Sequence, residues 1–122
     1  DFITLHLPYL PETMGFISDA ELSAMKKTAF LINTSRGKIV DEQALFRGLK
    51  EGRIAGAALD VFEKEPPDKS PLFDLDQFIA CPHMAGVTQE AVGRTGMAVA
   101  RDIVAVLNGQ PPEFLANKAF LK

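Results

Sequence analysis

The sequence has little of what would make it a disulfide scaffold, a metal site or a polyanion binder. Its one cysteine, Cys81, can form no internal disulfide. The strand-like apolar surroundings of Cys81 predict a buried, reduced thiol, the state kept by a cytoplasmic protein. No closely spaced Cys/His cluster of the kind zinc uses is present, so no metal is expected. Formal net charge is -3 and the basic residues form no block, which argues against a nucleic-acid groove or a patch for anionic membrane. No apolar run approaches membrane-spanning length, and no basic-then-apolar stretch of the leader type occurs in these residues. Internal repeats and low-complexity stretches are absent as well.

In bulk, the 122 residues, 47% hydrophobic and 24% charged, describe an ordinary soluble unit with one core. Apolar runs alternate with amphipathic segments from end to end. A strand is predicted over 2–7, stopped by Pro8 and Pro11. Within 13–27, Phe16, Ile17, Leu22 and Met25 share one face, and Ser18 with Glu21 has the spacing of a capping box. A second strand over 29–33 breaks at Ser35-Arg36-Gly37. Asp41 then reads as the N-cap of a helix with apolar Ala44, Leu45 and Leu49 that stops at Gly52. The run over 54–62 is small and apolar, as in a strand covered on both faces. A Pro- and Asp-rich loop leads to a short turn at Leu72-Phe73 and a strand over 78–81. A long helix is predicted from about Thr88 to Leu107, ended by Gly109-Gln-Pro-Pro112, with an aperiodic tail behind it. This βαβα alternation predicts an α/β fold, half of a doubly wound parallel sheet of about four strands with flanking helices.

Three polar residues stand where an apolar run ends in a turn: Arg36, Glu65 and His83. In an open parallel sheet the carboxyl ends of the strands share one rim, and ligands bind along it. A cation, an acid and an imidazole gathered there make a proton-transfer site; taken singly, each is an unremarkable loop residue. Glu63 competes with Glu65 for the acid's place.

The motifs extend further than these three. Leu5-His6-Leu7-Pro8 with Pro11-Glu12-Thr13 comes first, then Asn33-Thr34-Ser35-Arg36-Gly37. Val40-Asp41-Glu42-x-Ala44-Leu45 follows, then Gly52-Arg-Ile-Ala-Gly56-Ala-Ala-Leu-Asp60-Val-Phe-Glu-Lys-Glu65-Pro66, and finally Pro82-His83-Met-Ala-Gly86. In order and spacing this set resembles the carboxy-terminal half of the NAD-binding, Rossmann-like domain of the D-isomer-specific 2-hydroxyacid dehydrogenases. That family includes phosphoglycerate, glycerate, glyoxylate/hydroxypyruvate and formate dehydrogenases.

The resemblance implies roles. Arg36 would grip the carboxylate of a 2-oxo acid through two parallel hydrogen bonds and polarise its carbonyl. His83 would be the acid/base, its ordinary pKa of about 6.5 lying near working pH. Glu65 would orient the ring and favour its protonated form. The family pattern puts this acid directly before the proline, which selects Glu65 over Glu63. Asp60 would lie near the nicotinamide carboxamide, and Thr34, Ser35 and Arg36, with the 82–86 turn, would border the nicotinamide-ribose side. Gly86 would permit close backbone approach. Pro8 and Thr13 would wall the adenosine and pyrophosphate part of the cofactor, and His6 receives no catalytic role. The cofactor implied is NAD, with NADP left open, because the selecting residue lies upstream of these motifs in the family. So does the Gly-x-Gly-x-x-Gly turn, which these residues do not contain.

Residues 1–87 are expected to form the carboxy-terminal half of the NAD-binding domain, and 88–122 a long helix and tail returning towards a substrate domain. The abrupt start at Asp1, straight into a strand, reads as a fragment of a longer parent. That parent is expected to be a cytoplasmic, homodimeric oxidoreductase acting on small 2-hydroxy or 2-oxo acids, without nucleic-acid or membrane partners. The alternatives are an NADH-binding corepressor-like module, or an assembly surface, using the same fold without turnover. The strand over 2–7, lacking the neighbour the family would supply, is expected to be a bare apolar edge that drives self-association.

Overall fold

Four short parallel strands make one sheet in the computed structural model, which describes residues 1–117. They are β1 (Phe2–Leu5), β2 (Phe30–Asn33), β3 (Gly56–Leu59) and β4 (Phe78–Ala80), hydrogen-bonded in the order β1-β2-β3-β4. The register aligns their carboxyl ends: Leu5 pairs with Asn33, Asn33 with Leu59, and Leu59 with Ala80. The loops that follow β1 to β4 therefore leave the sheet from a single row.

Side chains alternate across the sheet. Leu5, Leu31, Asn33, Ala57 and Leu59 are buried on one face. Two helices cover that face, α1 (Asp19–Ala24) through Leu22 and α2 (Glu42–Lys50) through Ala44, Leu45 and Leu49. Successive right-handed crossovers that always step the same way put their helices on the same side, which is why one face receives both. Each fully buried leucine there contributes about 1.5–3 kcal/mol relative to an exposed one. The other face carries Phe2 and Phe30, 73% and 42% exposed, with rings stacked 5.5 Å apart, and Ile79, 63% exposed.

The helices begin where their caps put them. Asp41 accepts hydrogen bonds from the N–H groups of Gln43 and Ala44, both at 2.9 Å, and α2 ends ahead of Gly52, whose φ is +67°. In α1 the Ser18 N–H donates to the Glu21 carboxylate at 2.9 Å. This helix is shorter than the amphipathic stretch over 13–27. Gly15 turns the chain at φ +64° and Ile17 forms a parallel bridge with Val40, so the helix cannot start before Ser18. Ile17 is buried by that bridge, whereas Phe16 is exposed and not on a helix face at all.

The strands are also shorter than the apolar runs, because pairing stops at Leu5, Leu59 and Ala80. Cys81 corrects an expectation: it is exposed, not buried, since it follows β4 at the sheet's edge.

The chain divides into two units, Asp1–Ala85, which holds the sheet, and a second beginning at Gly86. In the second, α3 (Gln89–Leu107) is capped by Thr88, whose hydroxyl accepts from the Ala91 N–H at 3.1 Å. The Asp102 carboxylate accepts from the N–H groups of Glu113 and Phe114, folding the start of the tail back on the helix. The end of the expected tail, 118–122, lies outside the described residues. No helix among the described residues is long and apolar enough to cross a membrane.

Candidate active site

The loop after β2 is shaped by Asn33, which is fully buried. Its carboxamide oxygen accepts from the Ser35 N–H at 3.0 Å and the Ser35 hydroxyl at 2.7 Å, while its amide nitrogen donates to the Arg36 carbonyl at 2.9 Å. One side chain thus closes the whole Thr34–Arg36 turn. Thr34 and the Arg36 side chain are left exposed, with a guanidinium N–H donating to the Ser35 carbonyl at 2.6 Å. Gly37 follows because nothing larger fits: a Cβ there would lie 1.9 Å from the Phe62 carbonyl oxygen.

The loop after β3 carries three carboxylates with separate duties. Asp60, 5% exposed, accepts from the N–H groups of Met84 and Ala85 at 2.8 and 2.9 Å. Glu63 turns away and accepts from the N–H of Glu42 at 3.2 Å. Glu65 accepts from the Phe62 N–H at 2.9 Å with one oxygen and meets His83 Nδ1 at 2.7 Å with the other. Glu63 and Glu65 are thereby separated by geometry: only Glu65 contacts the imidazole.

The loop after β4 bends sharply at His83, whose φ is 52°, an unusual conformation for a residue with a Cβ. The two N–H groups that follow are the ones Asp60 holds, so the carboxylate compensates the strain of the turn that presents the ring.

Hydrogen bonds to His83 first, and to the Phe62 N–H second, hold the Glu65 carboxyl below the usual carboxylate range, with slight burial opposing. An ionised Glu65 assigns the proton on Nδ1 to the hydrogen bond between them, so that Nε2 is the ring nitrogen outside this pair. The pair is half exposed, so its value lies in orientation, not stability.

Arg36, Glu65 and His83 line one cavity of about 640 Å3, with Pro8 and Tyr9 on its wall. That volume suits a small ligand. Lys38 also lines it, with its ammonium 5.8 Å from the Tyr9 ring centroid. Asp60 lies instead against a smaller cavity of about 200 Å3, which Glu65 and His83 also line.

The remaining expected residues stand apart. Thr13 does not line the cavity; its hydroxyl donates to the Pro8 carbonyl and accepts from the Leu10 N–H, both at 2.8 Å, pinning the turn after β1. Thr34 and Ser35 sit in the Asn33 turn. His6 Nε2 lies 2.9 Å from the Thr4 hydroxyl. Gly86 opens the second unit, and a Cβ there would meet nothing. Sequence reasoning did not single out Tyr9, Lys38 or the buried carboxamide of Asn33. A polar residue ending an apolar strand was the available signal for Asn33. Tyr9 and Lys38 carried none. Among the described residues, no three His, Cys, Asp or Glu side chains cluster as metal ligands would.

Residues 1–85 match the family described as D-isomer specific 2-hydroxyacid dehydrogenase, NAD binding domain. The chain belongs to this family. Its relatives in the 2-hydroxyacid dehydrogenases include a glyoxylate reductase of Thermofilum pendens, 50% identical over 123 residues, which span 100% of this chain and 36% of that protein. A D-3-phosphoglycerate dehydrogenase of Methanocaldococcus jannaschii is 47% identical over 117 residues, 96% of this chain and 22% of its own. The chain thus spans little more than a third of the glyoxylate reductase it matches. Among solved structures, a D-lactate dehydrogenase with NAD+ from Lactobacillus jensenii superposes with a TM-score of 0.84 at 31% identity, covering 97% of this chain and 40% of that one. The parallel α/β sheet expected from the sequence is the dehydrogenase fold, and the domain is an NAD-binding one.

Proposed function

We propose that the protein carrying this chain is a dehydrogenase that interconverts a 2-oxo acid and a D-2-hydroxy acid with NAD. The observation that carries this reading is the Glu65–His83 contact of 2.7 Å on the wall of the cavity that Arg36 also lines. Arg36 binds the carboxylate of the acid and draws electron density from its carbonyl. His83, protonated, donates from Nε2 to the carbonyl oxygen during reduction and recovers that proton during oxidation. Glu65 keeps the ring turned by its contact with Nδ1. When bound, NAD supplies or accepts the hydride at C2 of the acid.

The residues present suit the nicotinamide end of that cofactor. The exposed Thr34 at the β2 end offers a hydroxyl on the strand-end row, and Asp60, whose two oxygens hold the Met84 and Ala85 N–H groups, fixes the turn beside it. Pro8 and the Thr13-pinned turn stand at the β1 end for the adenosine side. The pyrophosphate anchor lies outside these residues. In this reading, residues 1–87 form the carboxy-terminal half of the NAD domain, and 88–122 lead to a substrate domain. This reading also makes the protein a cytoplasmic homodimer.

The test is NADH oxidation by the full-length protein with a panel of 2-oxo acids headed by glyoxylate. His83→Ala should lower turnover by about 10²–10⁴-fold while NADH binding, followed by fluorescence, persists. Near-normal turnover in that variant would remove His83 from the mechanism.

A further inference from the structure

The loop that carries Glu65 is gripped from α2 in a way that α2 itself does not need. The N-terminus of α2 is already capped by Asp41, which satisfies Gln43 and Ala44. The side chain of Glu42, the first helical residue, points instead across to the β3 loop, where it accepts from the Glu63 N–H at 2.6 Å. Glu63 returns the contact by accepting from the Glu42 N–H at 3.2 Å.

This reciprocal arrangement places two acidic residues together. Burial first, and then the charge of Glu63, push the Glu42 carboxyl above its usual range, with the Glu63 N–H opposing. A neutral cap would avoid that cost. What the contact does achieve lies one residue away. The N–H beside Glu63 is that of Phe62, and it donates to the Glu65 oxygen opposite the one on His83. From the other side Gly37 lies against the Phe62 carbonyl, closely enough to exclude a Cβ. The 62–63 peptide is thus held between the turn that carries Arg36 and the start of α2.

We propose that Glu42 is a positioning residue: by holding the Glu63 N–H it fixes the neighbouring Phe62 N–H on Glu65, and so fixes the Glu65 carboxylate on His83 Nδ1. The inference rests on Glu65 and His83 being the proton-transfer pair, and it adds a link from α2 to the ring.

The experiment is a carboxyl 13C NMR titration of glutamate-labelled full chain, with Glu65 assigned by Glu65→Gln. In Glu42→Ala the Glu65 midpoint should rise towards the ordinary glutamate value as its two hydrogen bonds loosen. Glu42→Gln keeps an acceptor oxygen at the same reach and should leave the midpoint at or below that of wild type. Glu42→Asp keeps the charge but falls one methylene short, and should raise it; this variant carries the test if Glu42→Ala does not fold. A purely electrostatic role predicts the opposite sign, because removing a nearby negative charge lowers a carboxyl pKa. A midpoint unchanged or lowered in both Ala and Asp variants would overturn the proposal. His83→Ala serves as the control. If it fails to raise the Glu65 midpoint, the pairing itself is wrong; if it raises it while Glu42 variants do not, only the role of Glu42 falls.

Discussion

At the scale of single residues, the site depends on carboxylates spent on backbone N–H groups as much as on charges. Asp60 gives both oxygens to the turn that follows His83. Asp60→Asn would aim amide hydrogens at one of those N–H groups, and chemical denaturation should register a loss of about 1–3 kcal/mol. His83→Asn should retain the turn, because asparagine tolerates a positive φ, so stability and proton transfer separate in these two variants. The acid limb is also set here. A carboxyl whose folded pKa is depressed stabilises the fold above its unfolded pKa and loses that contribution as pH falls through the folded value. For Glu65 this means that the contact with His83 persists on acidification through the ordinary glutamate range and breaks only below it. Imidazole chemical shifts followed downward from neutral pH should show that late transition. A break at the ordinary glutamate pKa would contradict the pairing.

At the scale of elements, what was legible in the sequence was what is local. The Asp41 cap and the Gly52 stop each act within four residues, and each stands where the residue types put it. Strand existence was legible too, since apolar runs bounded by turn residues have few other solutions. Contacts between distant segments were not. Ile17 shortens α1 by bridging Val40, Glu63 is drawn to α2, and Asp60 reaches residues 84 and 85; nothing in the spacing of these residues announces it. Cys81 was misjudged because an apolar run looks the same in a central strand and at an edge. The interlock of loops also makes a prediction. In Gly37→Ala the new methyl would collide with the backbone of Phe62, not with a movable side chain. The β2 and β3 loops must then separate, and thermal unfolding should occur well below the wild-type midpoint. Gly86→Ala, which meets nothing, should leave that midpoint unchanged.

At the scale of the whole molecule, β1 is an edge strand of the sheet among the described residues, with an exposed Phe2–Phe30 stack beside it. Such an edge templates association. Sedimentation of this chain over a wide concentration range should show self-association, and Phe2→Lys should weaken it; a monomer throughout would count against the idea. The strand order has a different consequence. Each strand pairs only with the next one in sequence, Phe2 with Phe30, Phe30 with Gly56 and Ala57 with Phe78. No strand must wait for a later one to be inserted between it and its neighbour. The sheet can therefore be assembled in the order of synthesis, each newly emerged strand docking on the edge left by the last, so that a nascent chain halted between the β3 loop and β4 already holds Arg36 and Glu65 and, of the three, lacks only the histidine.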